Sequence, residues 1–292
     1  MMINCIDVAD LNRGKNVVIE EGVTLRGGKF SIGENTIIKK GTVIDVSESF
    51  SIGKNSIIGE NNIIRGRDIN INREFYSNHD SEIGGGSCFE KTSKLTIGYW
   101  FHIGSYSIIN TAAKVTIGNT VGLGRFTNIY THGAYQSIFD GYPVSFAEVS
   151  IGNNVWIPGA TINPGVNIGN NVVIGVGSVV LKNISSNCLA VGSPCKVIKE
   201  NAYPNPLPID KKIEIFNQIQ NMWELDLKTE KPGIYKIDKA FINLIEHSFS
   251  GEISPKSERC RNLLRRWGIR FKVDCIEGEY HPWSDLEKNT NC

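Results

Sequence analysis

The side chains of this chain best suited to proton transfer, metal ligation or nucleophilic attack are its 5 histidines and 7 cysteines. Cys5, Cys88, Cys188, Cys195, Cys260, Cys275 and Cys292 are odd in number, scattered and never spaced as CxxC. That pattern reads as reduced thiols, not as a disulfide framework or a zinc knuckle. His79, His102 and His132 stand far apart in the sequence with no close pair among them, and no metal is expected. His247 and His281 read as surface or packing residues. The trio Asn78, His79 and Asp80 offers polar groups for an acceptor surface, although the surrounding text from Asp68 to Thr96 reads more simply as irregular loops. His132 stands apart, because it opens the long break HGAYQSIFDGYPVSFAE. Long unstructured segments in compact domains are usually functional, and an imidazole titrates near neutrality.

These residues must be held by something, and the chain supplies a repeat. In VSIGNNVWIPGATINPGVNIGNNVVIGVGSVVLK an aliphatic stands at Ile151, Ile157, Ile168, Ile174 and Val180. A helix repeats its apolar stripe every 3.6 residues and a strand alternates with period two, so neither produces a beat of six. A short strand, a turn and the next flat face do, which is the signature of a hexapeptide solenoid. The beat begins early, at Ile19, Leu25, Ile32, Ile38, Ile44, Ile52, Ile58 and Ile64. It returns at Ile97, Ile103, Ile109, Ile117, Leu123 and Ile129. Extra residues near Ser31 and between Ile44 and Ile52 should bulge at corners, and about 18 residues per coil gives about ten coils from Val17 to Ile198. His102, just before an inward Ile103, reads as structural or groove-lining.

The beat ends near residue 202, giving a β-helix over 1–202 and an extension over 203–292. YPNPLP reads as a linker. IDKKIEIFNQIQNMWELDL places Ile209, Ile213, Phe216, Ile219 and Trp223 on one helical face. DKAFINLIEHSFS and SPKSERCRNLLRRW read as two more helices. The second would start at Ser254 as N-cap with Pro255 following, or one turn later at Ser257, and would end at Gly268. IRFKVDCI reads as a strand, so the extension is α+β and mostly helical. Net charge is +1, without long runs of either sign, so neither a nucleic-acid footprint nor a polybasic membrane patch is present. No signal-peptide pattern or membrane-length apolar run stands out, and a cytoplasmic chain is expected.

The signatures IGNNVWI, NPGVNIG, IGVGSVV and GSPCKVIK resemble those of the hexapeptide-repeat acyltransferases. In pattern they are closest to galactoside and maltose O-acetyltransferases and to xenobiotic acetyltransferases. The resemblance implies a left-handed parallel β-helix, a homotrimer, and acetyl-CoA bound between neighbouring prisms. It implies that His132 is the general base of a direct transfer with no acyl-enzyme. Asp140 and Glu148 are both available to orient it, as is a backbone carbonyl. Trp156, Gly159, Gly175, Val176 and Gly177 match positions along the pantetheine groove. Lys182, Lys196 and Lys199 match positions near the phosphates, where a lysine acts as a point charge. Asn110 matches a position that contacts sugar hydroxyls, and Tyr130, Tyr135, Asp140 and Tyr142 neighbour His132 as further acceptor contacts. Two departures stand out: Ile157, Ile162 and Ile168 are spaced five then six, and Pro158 replaces the usual glycine. Both imply a tightened corner beside the groove.

The expected activity is therefore acetyl-CoA-dependent O-acetylation of a saccharide, a polysaccharide unit or its precursor. N-acetylation of an amino sugar nucleotide would use the same base and donor. A metalloenzyme on the same scaffold lacks its close histidine pair, and a non-catalytic scaffold would leave His132 indifferent.

Overall fold

The computed structural model describes residues 4–271 and 276–278. His281, Cys275 and Cys292 lie outside the described residues. The chain divides into two units, Met1–Pro204 and Asn205–Cys292.

The first unit is a parallel β-solenoid with three faces. One face is a stack of ten short strands that begins with Val18–Ile19, Ile37–Ile38, Ile57–Ile58 and Tyr76–Ser77 and ends with Lys196–Lys199. All its pairings are parallel except the last, between Leu189–Val191 and Lys196–Lys199. The other two faces begin as one, because the strands Thr24–Ile32, Val43–Ile52 and Ile63–Ile71 bend through a corner. Register shifts between Gly27 and Lys29 and between Val46 and Ser49 mark that corner, so the extra residues do bulge there. After Ile71 the sheet forks. The start of Ile63–Ile71 pairs with Glu82–Gly84, while its end pairs with Lys94–Ile97. At that corner two long segments, 85–93 and 130–148, leave the solenoid, whereas 111–114 turns it directly with Thr111, Ala112 and Ala113 buried.

Every aliphatic of the six-residue beat points inward and is buried, apart from the partly buried Ile19 in the first coil. Coil length departs from a uniform 18. Ile38 pairs with Ile58, twenty residues on, whereas Val155 pairs with Val172 and Val173 with Leu189, seventeen and sixteen on. The stretch Asp68–Thr96, expected as loops, is a rung of the solenoid with one excursion. Phe75, Ser77 and Ile83 fill its interior. Ser77 hid this rung by standing where an aliphatic recurs; its buried hydroxyl is satisfied by accepting from the Gly59 N–H at 3.0 Å.

The second unit starts with α1 (Ile209–Met222), which buries Phe216 and Ile219 and leaves Ile209 exposed. Four antiparallel strands follow: Lys228–Lys231, Ile234–Ile237, Ala240–Asn243 and Ser248–Ile253. The helix expected over DKAFINLIEHSFS is thus a hairpin. Ala240, Ile242 and Leu244 are buried and Phe241 is not, which is a period of two, and His247 at φ 51° makes the turn. α2 (Pro255–Arg266) starts at the earlier of its two expected sites, with a Ser254–Ser257 capping box, and Gly268 at φ 74° follows it. Of the strand expected over IRFKVDCI, 272–275 lie outside the described residues and 269–271 are not in a strand, while a strand Ile276–Gly278 pairs in parallel with Ser248–Ile253. No helix among the described residues is long and apolar enough to cross a membrane.

Candidate active site at the open corner

Asn128–Ile129 is the last regular strand before the long excursion, and the chain leaves it through Tyr130 and Thr131. His132–Gly133 then pairs antiparallel with Ser145–Phe146, so a hairpin stem carries the imidazole. Phe146 stacks on the His132 ring, centroids 5.6 Å apart with planes at 22°. The excursion therefore holds His132 firmly at its base while its tip projects into solvent.

The second anchor is Asn110, at the end of the strand Ile108–Asn110 one rung earlier. It is 4 % exposed, and its amide, expected to meet sugar hydroxyls, bonds within the chain. Its Nδ2 donates to the Gly84 carbonyl at 3.0 Å and the Gly86 carbonyl at 3.4 Å. Those bonds fix the amide's orientation and turn Oδ1 toward the histidine. Thr131 Oγ accepts from the Ala113 N–H at 3.0 Å and donates to Asn110 Oδ1 at 2.7 Å. His132 Nδ1 lies 2.9 Å from the same Oδ1. An amide oxygen only accepts, so Nδ1 must carry a proton, and in the neutral ring the lone pair is therefore on Nε2. Asn110 is thus the orienting group. Glu148 pairs with Lys114 at 3.5 Å, and Asp140 sits in the short 3-10 turn Ile138–Asp140 at the loop tip.

The glycines of Gly84–Gly86, absent from the sequence-based site, form its floor. A Cβ on Gly84, at φ 130°, would stand 2.8 Å from the Arg65 carbonyl oxygen, and one on Gly85, at φ 88°, 2.9 Å from Asn110 Nδ2. Both positions demand glycine. A triple glycine in a polar stretch reads as loop, which is why sequence alone passed over it.

A cavity of about 510 Å³ adjoins the imidazole, lined by Tyr130, His132, Tyr135, Tyr142, Pro143 and Asn163 among others. Of the expected acceptor contacts, Tyr130, Tyr135 and Tyr142 line it, and Asp140 does not. His79 lies at another corner, with its Nδ1 2.6 Å from Asp80 and its ring edge-on to Tyr106. His102 stacks on Tyr76, 5.5 Å away on the first face.

The expected donor-side residues gather elsewhere. Trp156 projects from the first face, 43 % exposed, with its indole lying over Gly122; a Cβ there would be 2.6 Å from the ring. Gly159, at φ 84°, makes the tight turn after Pro158 and accepts from the Gly177 N–H at 2.8 Å. Gly175 and the exposed Val176 continue the same edge, and Lys182, Lys196 and Lys199 are exposed farther along. Gly122 was not among the expected residues, and its signal was a glycine at an outward strand position. Within one chain this edge and His132 occupy different corners.

The fold and the site define a class: a parallel β-solenoid of six-residue repeats whose one open corner carries an amide-oriented histidine. No protein-family model matches the chain. It is homologous to acetyltransferases over part of its length. It is 40% identical over 116 residues to the Escherichia coli galactoside O-acetyltransferase, covering 38% of this chain and 57% of that one. A Saccharomyces cerevisiae protein with a provisional acetyltransferase name is 42% identical over 112 residues, covering 37% and 57%. The chain spans little more than half the length of these curated relatives. Among solved structures it is similar to the polysialic acid O-acetyltransferase OatWY, with TM-score 0.46, 21% identity, and 70% and 92% of the two chains covered. For a maltose O-acetyltransferase from Clostridium difficile the figures are 0.36, 31%, 49% and 68%.

Proposed function

We propose that the protein is an acyltransferase that moves an acetyl group from acetyl-CoA to a hydroxyl of a saccharide, a polysaccharide unit or its precursor, in the cytoplasm. The observation that carries this reading is the 2.9 Å contact of His132 Nδ1 with the Asn110 amide oxygen, which in the neutral ring puts the lone pair on Nε2. A general base must present a lone pair to the proton it removes, and this tautomer does so before substrate arrives. The acceptor O–H gives its proton to Nε2 as its oxygen attacks the thioester carbonyl. The tetrahedral adduct collapses with cleavage of the C–S bond, and the imidazolium returns the proton to the departing CoA thiolate. No side-chain nucleophile is used, and the buried Cys88 and Cys188 have thiols pushed up by desolvation, away from the reactive thiolate.

The tyrosines and Asn163 around the cavity suit a sugar, offering ring faces together with hydroxyl and amide groups. Acetyl-CoA would run along the edge formed by Trp156, Gly159, Gly175, Val176 and Gly177, with Lys182, Lys196 and Lys199 as phosphate partners. Since that edge and His132 lie at separate corners of one chain, the donor is supplied by a neighbouring copy, in a homotrimer of left-handed prisms. The excursion supports this: Tyr135 and Phe139 near its tip are 97 % and 98 % exposed, and Ile138 and Tyr142 are also open to solvent. Apolar patches of that kind mark interaction sites.

The test is release of free CoA from acetyl-CoA with hydroxyl and amine sugars offered in parallel. Turnover with the hydroxyl sugars and none with the amines is expected. Turnover with amines alone moves the reading to N-acetylation, and a parent protein that neither binds acetyl-CoA nor turns over refutes it.

A further inference from the structure

Three sides of the His132 imidazole are accounted for. Asn110 holds Nδ1, Phe146 covers a ring face, and the hairpin stem holds the Cα. The remaining edge, Nε2 and Cε1, is flanked by Gly86. A Cβ on Gly86 would lie 3.6 Å from Nε2 and 3.7 Å from Cε1, with nothing else within 4 Å.

Gly86 differs in this from its two neighbours. Gly84 and Gly85 need glycine because their φ angles are positive and a side chain would strike backbone or the Asn110 amide. At Gly86 neither reason holds. Its φ lies outside the left-handed region, and a methyl would meet only the imidazole, at an ordinary contact distance. Folding therefore admits alanine there. What alanine would remove is open space beside the working nitrogen. An acceptor oxygen must come within about 2.6–3.2 Å of Nε2, and the atoms bonded to that oxygen need room on the same flank.

We propose that Gly86 sets which acceptors reach His132: its missing side chain is the space for a hydroxyl borne on a ring carbon, whose two substituted neighbours crowd the base. The proposal rests on His132 acting as the base. A primary alcohol or water, narrow at the attacking atom, needs less of that space.

Access can be measured without knowing the acceptor. Diethyl pyrocarbonate acylates an imidazole at its unprotonated nitrogen, and the rate at His132 is read by peptide mass spectrometry. The parent is compared with Gly86→Ala and Gly86→Val, with the histidine 15N signals recorded for each. Crowding by one methyl is expected to slow modification about tenfold, a smaller penalty than the ~10²-fold cost of misplacing a reacting group by 1 Å. Valine is expected to slow it further, and the Nε2 signal of the alanine variant should stay that of the bare nitrogen. An alanine rate within twofold of the parent overturns the proposal. So does a slower rate accompanied by a change of tautomer, since the loss would then come from a broken Asn110 contact. If the parent acylates no saccharide while alanine still slows modification, the transfer reading fails and control of access to Nε2 stands.

Discussion

Two corners of the same solenoid are built on opposite plans. At the corner leading into the first face, asparagines repeat rung after rung in the left-handed conformation: Asn16, Asn35 and Asn55, then Asn154, Asn171 and Asn187. Their amides bond along the stack, Asn154 to Asn171 at 3.0 Å and Asn171 to Asn187 at 2.7 Å. Most of these amides bond to the next copy of themselves, and where the run of asparagines stops Asn55 Nδ2 reaches Glu74 Oε1 at 3.5 Å. At the open corner nothing repeats. Asn110, Thr131, His132 and the three glycines come from three successive rungs, and their hydrogen bonds run between unlike groups. A lone pair is left free there because the stack is interrupted. In a solenoid, chemistry requires a broken ladder.

Removing the group that the interruption exposes should have the largest effect. His132→Ala is expected to lower CoA release about 10²–10⁴-fold, the usual worth of a positioned base, with acetyl-CoA affinity intact. The side chain is only partly buried, so the thermal midpoint should stay close to the parent's. Equal turnover in parent and variant would reduce the open corner to an ordinary loop.

Asn110→Ala tests whether the two corners share a structural logic. It strips partners from the Gly84 and Gly86 carbonyls, Thr131 Oγ and His132 Nδ1 together. The Gly84 carbonyl still accepts from the Thr111 N–H at 3.0 Å and Thr131 Oγ still donates to the Asn110 main-chain carbonyl at 3.2 Å. What is lost is therefore a set of net hydrogen bonds at about 1 kcal/mol each, and denaturant titration should show that loss. Turnover should fall about 10–100-fold as the tautomer loses its orienting group. Asn110→Asp should restore part of the turnover, because a carboxylate still accepts from Nδ1–H. Failure of the aspartate to recover any would show that the amide's own donors matter more than its oxygen.

Asn171→Ala is the matching change on the repetitive corner. It breaks two ladder bonds at a partly exposed site, where a net hydrogen bond is worth about 1 kcal/mol. Stability should fall by about 2 kcal/mol for the two bonds and by roughly 1–2 kcal/mol more for alanine at the φ of 56° that Asn171 adopts, while CoA release should stay within twofold of the parent. A large loss of activity would mean the two corners are coupled.

The repeat was legible because a solenoid writes its contacts at a fixed sequence distance: an inward isoleucine states its partner a rung away. That logic located the coils, the bulged corner and the excursion at His132. It failed where the rule was broken by one residue, as at Ser77. It failed also in the second unit, where contacts are not periodic. Ala240, Ile242 and Leu244 alternate as a strand, yet DKAFINLIEHSFS suits a helix equally well until Phe216 of α1 packs on Tyr235 at 4.3 Å. Asn110 was visible as a residue type in the right rung, but sequence carries no depth, and neither its burial nor its hydrogen bond to His132 Nδ1 could be read from it.

The smallest expected effect concerns the last rung before the corner opens. Asp68 stands near the end of the bent strand Ile63–Ile71, with Ser49 Oγ 2.7 Å and Lys94 Nζ 3.0 Å from its carboxylate. The Ser49 hydrogen bond, then Lys94, hold its carboxyl below the ordinary 3.8, outweighing partial desolvation. With the folded value depressed, the carboxylate's contribution is fully present above the ordinary value and lost as pH falls through the folded one. Exposed pairs are worth up to about 1 kcal/mol, so Asp68→Asn should lower the thermal midpoint slightly at pH 7. The gap to the parent should narrow as pH drops below the ordinary value, and close once the parent's own Asp68 is protonated. A gap that persists in acid would show that the loss comes from packing of the asparagine, and that the bent strand is held at this corner by shape alone.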